Sequence, residues 1–182
     1  MKKYELTTET LQFAGRTLHR IKAVKDFGSI QAGEFGGWIE NEKNLSQDDN
    51  AWIYYNAMVF GNAEILGNAK ILGNAKVYCY AKVYDNANID DYAEVYGRVV
   101  IKGDAKVHDA TDYIVFKNFW SSGRYFTWTR SNNKWSVGCF YGTGEELIKK
   151  AYNDSEKSGR EYERVVRYVE SILADEKKEK SN

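Results

Sequence analysis

The residue types best suited to catalysis are two histidines, His19 and His108, and two cysteines, Cys79 and Cys139. A catalytic base needs a positioned partner and an altered environment, and the sequence identifies neither for these histidines. The cysteines lie in different regions and indicate no disulfide framework, and no cysteine–histidine cluster has the spacing of metal ligands. We therefore expect no catalytic residue, no metal, no cofactor and two reduced thiols.

Residues 112–142 combine aromatic rings with positive charge. If this stretch forms strands, one face of the sheet packs under helices and the other presents rings beside cations. Such a surface stacks on nucleic-acid bases or anchors a protein partner; the alternative is that the rings form the core of a small domain. The candidate partner-binding residues are Lys117, Trp120, Arg124, Tyr125, Trp128, Arg130 and Lys134.

The element that must position these groups is a six-residue repeat, which runs ten times between residues 51 and 110. Each unit has a small residue, a polar residue and an aliphatic residue in alternation, which is the period of a β-strand. One buried aliphatic residue per unit of six predicts a parallel β-helix, of the left-handed triangular kind with three units per coil. The aliphatic positions are Ile53, Val59, Ile65, Ile71, Val77, Val83, Ile89, Val95, Ile101 and Val107.

Outward residues stack eighteen positions apart if three units make a coil. One predicted face carries Phe60, Tyr78 and Tyr96, flanked by Met58, which we expect to form a homo-oligomer interface giving a trimer or a dimer. The alternative is that these rings reflect strand propensity alone. A second face carries Tyr54, Leu72, Asp90 and His108, with Trp52 also pointing outward.

The flanking segments complete a mainly β protein. Residues 1–50 predict a β-rich cap with strands at 4–6, 11–13 and 17–24, and Phe35, Trp38 and Leu45 are candidates to close the helix end. Residues 51–111 form the β-helix, and residues 112–174 predict a small α+β domain. Its two helices open with capping boxes at Thr143 and Ser158, and residues 175–182 are expected to be a disordered tail.

Composition narrows the functional classes. The 182 residues carry 26 basic and 26 acidic side chains, so net charge indicates neither a nucleic-acid-coating protein nor an acidic mimic. The first ten residues lack the apolar core of a signal peptide, and no apolar run approaches the length of a membrane span. We expect a cytoplasmic protein without membrane contact.

The chain resembles the phage and prophage hexapeptide-repeat proteins of unassigned function, some of which are labelled transferases or polymer-forming proteins. The resemblance implies a bacterial host cell and brings no established catalytic residues. It rests on the Gly-Asn-Ala-Lys units and on KYELT at 3–7, GRT at 15–17, KDF at 25–27, GGWIE at 36–40, KNLS at 43–46, SVGCF at 136–140 and GT at 142–143.

Three functions follow as expectations. The first is a non-enzymatic binding protein, in which the β-helix presents the C-terminal domain to a host protein or complex. The phage resemblance suggests an anti-defence target such as a CRISPR complex. The second is a protein that binds or sequesters a nucleotide or single-stranded nucleic acid. The third is an acyltransferase; such hexapeptide-repeat enzymes use a histidine base beside a pocket for the acyl carrier, and this chain lacks the loop that builds that pocket in many of them. We favour the first, and hence no enzyme.

Overall fold

The computed structural model describes residues 2–181, and its chain begins with an antiparallel hairpin. Strand β1 (Tyr4–Phe13) pairs with β2 (Arg16–Ala23), and β2 pairs with β3 (Phe35–Ile39). The segments expected as separate strands at 4–6 and 11–13 form one strand, with an irregular register between Leu6 and Thr10. Strand β3 then runs parallel to the second strand of the repeat region, which joins the hairpin to the solenoid.

Ten two-residue strands confirm the predicted parallel β-helix. Each pairs with the strand eighteen residues away, so three flat faces rise through the solenoid. The strands are β4 (Trp52–Ile53), β5 (Met58–Val59), β6 (Glu64–Ile65), β7 (Lys70–Ile71), β8 (Lys76–Val77), β9 (Lys82–Val83), β10 (Asn88–Ile89), β11 (Glu94–Val95), β12 (Val100–Ile101) and β13 (Lys106–Val107).

The interior of the solenoid is the apolar half of the repeat. Every predicted aliphatic position, together with the small residue two places before it, is buried in one continuous core. The corners adopt left-handed backbone conformations, and at Gly67 (φ +66°) a Cβ would lie 2.9 Å from the backbone nitrogen of Asp85. Glycine is required there because the corner of the next coil approaches so closely.

The C-terminal region contains a four-stranded antiparallel sheet and two helices. The strands are β14 (Tyr113–Lys117), β15 (Tyr125–Thr129), β16 (Lys134–Val137) and β17 (Phe140–Gly142), in that spatial order. Helices α1 (Gly144–Asp154) and α2 (Glu156–Glu179) bury Leu147, Ile148, Val166 and Val169 against one face of this sheet. Neither helix combines the length and apolar character needed to cross a bilayer.

Two expectations about these helices need correction. The capping box at Thr143 and Glu146 is present, but α2 begins at Glu156 with Ser155 as its N-cap, three residues before the N-cap expected at Ser158. The residues expected to form a disordered tail from 175 onward continue α2 as far as Glu179. Glu176 accepts two hydrogen bonds from Arg130 at 2.7 and 3.1 Å, which anchors this last part of the helix to the sheet.

The other face of the C-terminal sheet covers the last coil of the solenoid. Thr127 Oγ1 accepts a hydrogen bond from the backbone N–H of Val100 at 3.1 Å, and Ser131 Oγ accepts one from Lys106 at 2.7 Å. The hydroxyl of Tyr141 donates to the carbonyl of Lys102 at 3.1 Å. Because a solenoid end exposes unpaired backbone groups and an open apolar core, this face serves as a cap.

Candidate functional site

A histidine and a carboxylate meet on the outside of the last coil. Strand β13 stacks on β10 with Val107 opposite Ile89, so the residue after each strand is also in register. His108 therefore lies directly over Asp90, and its Nδ1 contacts the Asp90 carboxylate. The expectation that neither histidine has a partner is wrong for His108, because the partner is eighteen residues away in sequence and one coil away in space.

The surroundings of this pair suit a proton-transfer role. The Asp90 side chain is 29% exposed, and its buried Oδ1 atom contacts the imidazole but accepts no hydrogen bond within residues 2–181. The His108 side chain is 48% exposed, so a substrate can reach the rest of the ring. An imidazole that carries its hydrogen on Nδ1 has the Nε2 lone pair free to accept a proton.

The backbone that carries His108 is fixed by its own hydrogen bonds. Its N–H donates to Asp112 Oδ2 at 2.8 Å, and Asp112 closes a short 3-10 helix, Ala110–Asp112. Asp109 caps this helix by accepting from the N–H of Thr111 at 2.6 Å. Hydrogen bonds from Thr111 lower the pKa of Asp109, so this cap carries its charge at neutral pH. The histidine thus projects from a rigid corner.

Asp91 adds a second carboxylate beside His108, with 3.6 Å between Asp91 Oδ2 and Nδ1 of the imidazole. Asp90, Asp91 and His108 each place a potential ligand atom within 4.8 Å of the others, whereas the sequence predicted no metal cluster. These three residues could hold a divalent cation through two oxygens and one nitrogen. Exposed carboxylates form such clusters commonly without a metal, so the grouping carries no metal assignment here.

The second histidine has no comparable neighbour in residues 2–181. His19 lies in β2, where its Nδ1 is 3.4 Å from the carbonyl oxygen of Thr7 on β1. This contact lies between the two strands of the N-terminal hairpin.

The expected oligomer face is partly covered within the monomer. Phe60 is 6% exposed and packs with Leu18 and Trp38 of the N-terminal hairpin, and half-buried Met58 belongs to the same cluster. Phe60 was expected to be available for contact with another subunit; the hairpin folds over it instead. Tyr78 is half-buried, and burial together with the Glu94 carboxylate raises the pKa of its phenol to about 12. Assembly through this face stays a prediction.

Most of the candidate partner-binding residues have structural contacts. Trp128 is buried under the helices, and half-buried Trp120 packs against the same core. Arg130 is paired with Glu176. The expected recognition role is therefore wrong for Trp128, which is buried, and stays a prediction for Trp120 and Arg130. Lys134 is half-buried at the start of β16.

Three candidates remain near solvent. Arg124 is exposed and borders a small cavity between the sheet and α1. Tyr125 is half-buried, and exposed Lys117 lies 5.9 Å from the centre of its ring. Tyr125 also lines a groove of about 380 Å³ between the last coil and the C-terminal sheet. The other residues lining this groove are Tyr96, Gly97, Arg98, Val99, Ala110, Tyr113 and Val115.

The sequence placed Asp90 and His108 on the same face of the solenoid, but the contact between them was found only in the structure. The eighteen-residue register places Asp90 and His108 on one predicted face, yet it gives no distance between them. The groove had no sequence signal, because it forms where the chain leaves the repeat and its walls come from two separate regions.

Comparison with known proteins adds one finding. No protein-family model matches the sequence. The chain is 39% identical over 62 residues to a protein of Escherichia coli (strain K12) named "Uncharacterized acetyltransferase YdcK". The match covers 30% of this chain and 19% of that protein, so the chain spans about a fifth of the relative's length. This similarity to an acetyltransferase contradicts the expectation that the chain is not an enzyme. With the solenoid, it supports a place among the hexapeptide-repeat β-helix proteins.

Proposed function

We propose that this protein is an acyltransferase that moves an acyl group from a thioester to a hydroxyl or amine, with His108 as the general base. The observation that carries the proposal is the contact between His108 Nδ1 and Asp90 on the last coil. The similarity to a protein named as an acetyltransferase supports the reaction class and points to acetyl as the group transferred.

The reaction requires one proton to move twice. Nε2 of His108 takes the proton from the acceptor as its oxygen or nitrogen attacks the thioester carbonyl. The new carbon–oxygen or carbon–nitrogen bond forms, the carbon–sulfur bond breaks, and the imidazolium gives its proton to the leaving thiolate. Asp90 holds the ring orientation and stabilises the imidazolium between these steps, as a carboxylate does for a histidine base.

The fold suits this role because the two side chains come from adjacent rungs of a rigid sheet. Asp90 follows β10 and His108 follows β13, and the pairing of these strands sets the distance between the side chains. Side chains on regular strands are positioned more precisely than side chains on loops. Little reorganisation is therefore needed when His108 acts as the base.

The test measures thiol release from acetyl-coenzyme A in the presence of a panel of amine and hydroxyl acceptors. His108→Ala should lower turnover by at least about 100-fold, because general base catalysis contributes about that much or more. Asp90→Asn should cause a smaller loss, since the base remains but its orienting charge is removed. His19→Ala is the matched control and should keep the wild-type rate.

Two results would overturn the proposal. One is wild-type turnover in the His108→Ala variant, which would place the chemistry elsewhere. The other is a folded wild-type protein that releases no thiol with any acceptor in the panel.

A further inference from the structure

A ladder of stacked aromatic rings ends abruptly at Tyr96. The rings of Phe60 and Tyr78 lie 5.0 Å apart with 2° between their planes, and those of Tyr78 and Tyr96 lie 5.2 Å apart with 11° between them. At its lower end the ladder is closed by Phe13, whose ring meets Phe60 edge-on at 5.6 Å. Tyr96 is 51% exposed, and in residues 2–181 Tyr78 is the one ring stacked on it.

The next rung is missing because the chain leaves the solenoid. Eighteen residues after Tyr96 comes Ile114, which lies in β14 opposite Trp128 and packs toward the helices. The space beside Tyr96 is the groove of about 380 Å³ described above. The residues that line it include Tyr113, Tyr125, Val99 and Val115. A mainly apolar groove beside a stacked ring suits a planar aromatic ligand.

Two cationic side chains lie at or next to the groove. Arg98 lines it, with its guanidinium 4.9 Å from the centre of the Tyr80 ring. Lys117 adds a second cation, above the ring of Tyr125. None of the groove-lining residues is acidic in the part of the chain that the structure describes. An anionic group attached to the planar ligand would therefore find arginine and lysine nearby.

We propose that this groove binds a purine nucleotide, with the base stacked on Tyr96 as the next rung of the ladder and the phosphate at Arg98 and Lys117. The site is separate from the Asp90–His108 pair and does not depend on it. Ala110, two residues after His108, lines the groove, so the nucleotide portion of an acyl carrier is one source of the ligand and a free nucleotide is the other.

Calorimetric titration of the full chain with AMP, adenosine and ribose 5-phosphate tests the two halves of the site. AMP should bind more tightly than adenosine, which lacks the phosphate, and more tightly than ribose 5-phosphate, which lacks the base. Tyr96→Ala should weaken AMP binding by roughly tenfold or more, because a stacked base contributes that much. Tyr96→Phe should retain binding, because it keeps the ring.

Further variants distinguish binding in the groove from binding elsewhere on the solenoid. Arg98→Ala should weaken AMP binding but leave adenosine binding unchanged. Tyr92→Ala removes a 79% exposed ring of the same solenoid outside the groove, and should leave AMP binding unchanged. Titration with coenzyme A identifies the source of the ligand: tighter binding than AMP, also weakened by Tyr96→Ala, indicates the acyl carrier, and equal binding indicates a free nucleotide.

The proposal is overturned if neither AMP nor coenzyme A binds at millimolar concentration. It is equally overturned if Tyr96→Ala binds AMP as well as the wild type, or if ribose 5-phosphate binds as tightly as AMP. His108→Ala should bind AMP normally, so loss of acyl transfer and loss of nucleotide binding can be told apart.

Discussion

The two ends of the solenoid are covered by opposite chemistry. Inside the solenoid, the N–H groups of each coil donate to carbonyls of the coil that follows, as from Lys82 to Val99 at 2.9 Å and from Asn88 to Ala105 at 2.8 Å. The first coil is therefore left with free carbonyls and the last with free N–H groups. A buried backbone group without a partner is costly, so each end needs a different kind of cap.

The first end supplies donors. Buried Lys3 donates from Nζ to the carbonyls of Asp48, Asp49 and Ala51 at 3.1, 3.3 and 2.9 Å. The side-chain amide of Asn44 donates to two more carbonyls, at Gly61 and Ala63. Burial lowers the pKa of Lys3 to about 8, which shows the cost of placing a cation there.

The last end supplies acceptors, and most of these are neutral hydroxyl groups. Thr127 and Ser131 accept from Val100 and Lys106, and the carboxylate of Asp112 accepts from His108. One face of the aromatic C-terminal sheet is occupied by this capping, so that face is not open to a partner. The proposed catalytic histidine belongs to the same end, which is closed by neutral groups and one carboxylate.

The largest expected effect is at the cationic end. Lys3→Met keeps the apolar stem but removes the donor to three carbonyls, so the free energy of unfolding should fall by about 2–4 kcal/mol. Urea denaturation followed by circular dichroism measures this change. Lys70→Met alters an exposed lysine of the solenoid and should stay within about 0.5 kcal/mol. Equal losses in the two variants would show that the capping of carbonyls by Lys3 is unimportant.

A smaller effect is expected at the other end. Thr127→Val keeps the shape of the side chain and removes one neutral acceptor, so unfolding free energy should fall by about 1–2 kcal/mol. The same denaturation experiment measures it, with Thr10→Val at an exposed position of β1 as the control. A loss as large as that of Lys3→Met would remove the proposed difference between the two ends.

The repeat itself could be predicted from sequence because its inside and outside positions are set locally. Ile71 and Ala69 are buried and Lys70 is exposed, as the alternation requires. The register between coils also followed from the unit length, which is why Tyr78 and Tyr96 stack as expected.

Contacts between the repeat and its flanking segments could not be predicted in this way. Trp52 was expected to point outward, but the N-terminal cap folds over it, and it packs against Tyr4 at 6.2 Å and Phe27 at 5.3 Å between ring centres. Among the residues proposed to close that end, Leu45 is buried in the solenoid core, whereas Phe35 is exposed. The alternation of residues is the same whether an outward face meets water or another segment. The repeat sequence therefore does not show that Tyr4 and Phe27 cover Trp52.

The smallest effect concerns Tyr113, which like Tyr141 is a phenol that donates to a carbonyl at the last end of the solenoid. The Tyr113 hydroxyl donates to the carbonyl of Glu94 at 2.9 Å, and burial raises the pKa of this phenol to about 12. Below pH 10 the phenol is protonated in both states, and Tyr113→Phe should cost about 0.5–1.5 kcal/mol through the lost hydrogen bond. Between about pH 10 and pH 12 the unfolded chain releases this proton while the folded chain keeps it, so the wild type loses stability that the variant does not. The difference in unfolding free energy between wild type and Tyr113→Phe should therefore narrow as pH rises, which urea midpoints measured from pH 8 to about pH 11 would show.

Tyr4 is buried at the opposite end and donates to the carbonyls of Glu42 and Leu45. Burial likewise raises the pKa of its phenol, so Tyr4→Phe should show the same narrowing. A difference that stays constant with pH in both variants would mean that neither phenol is held protonated by the fold.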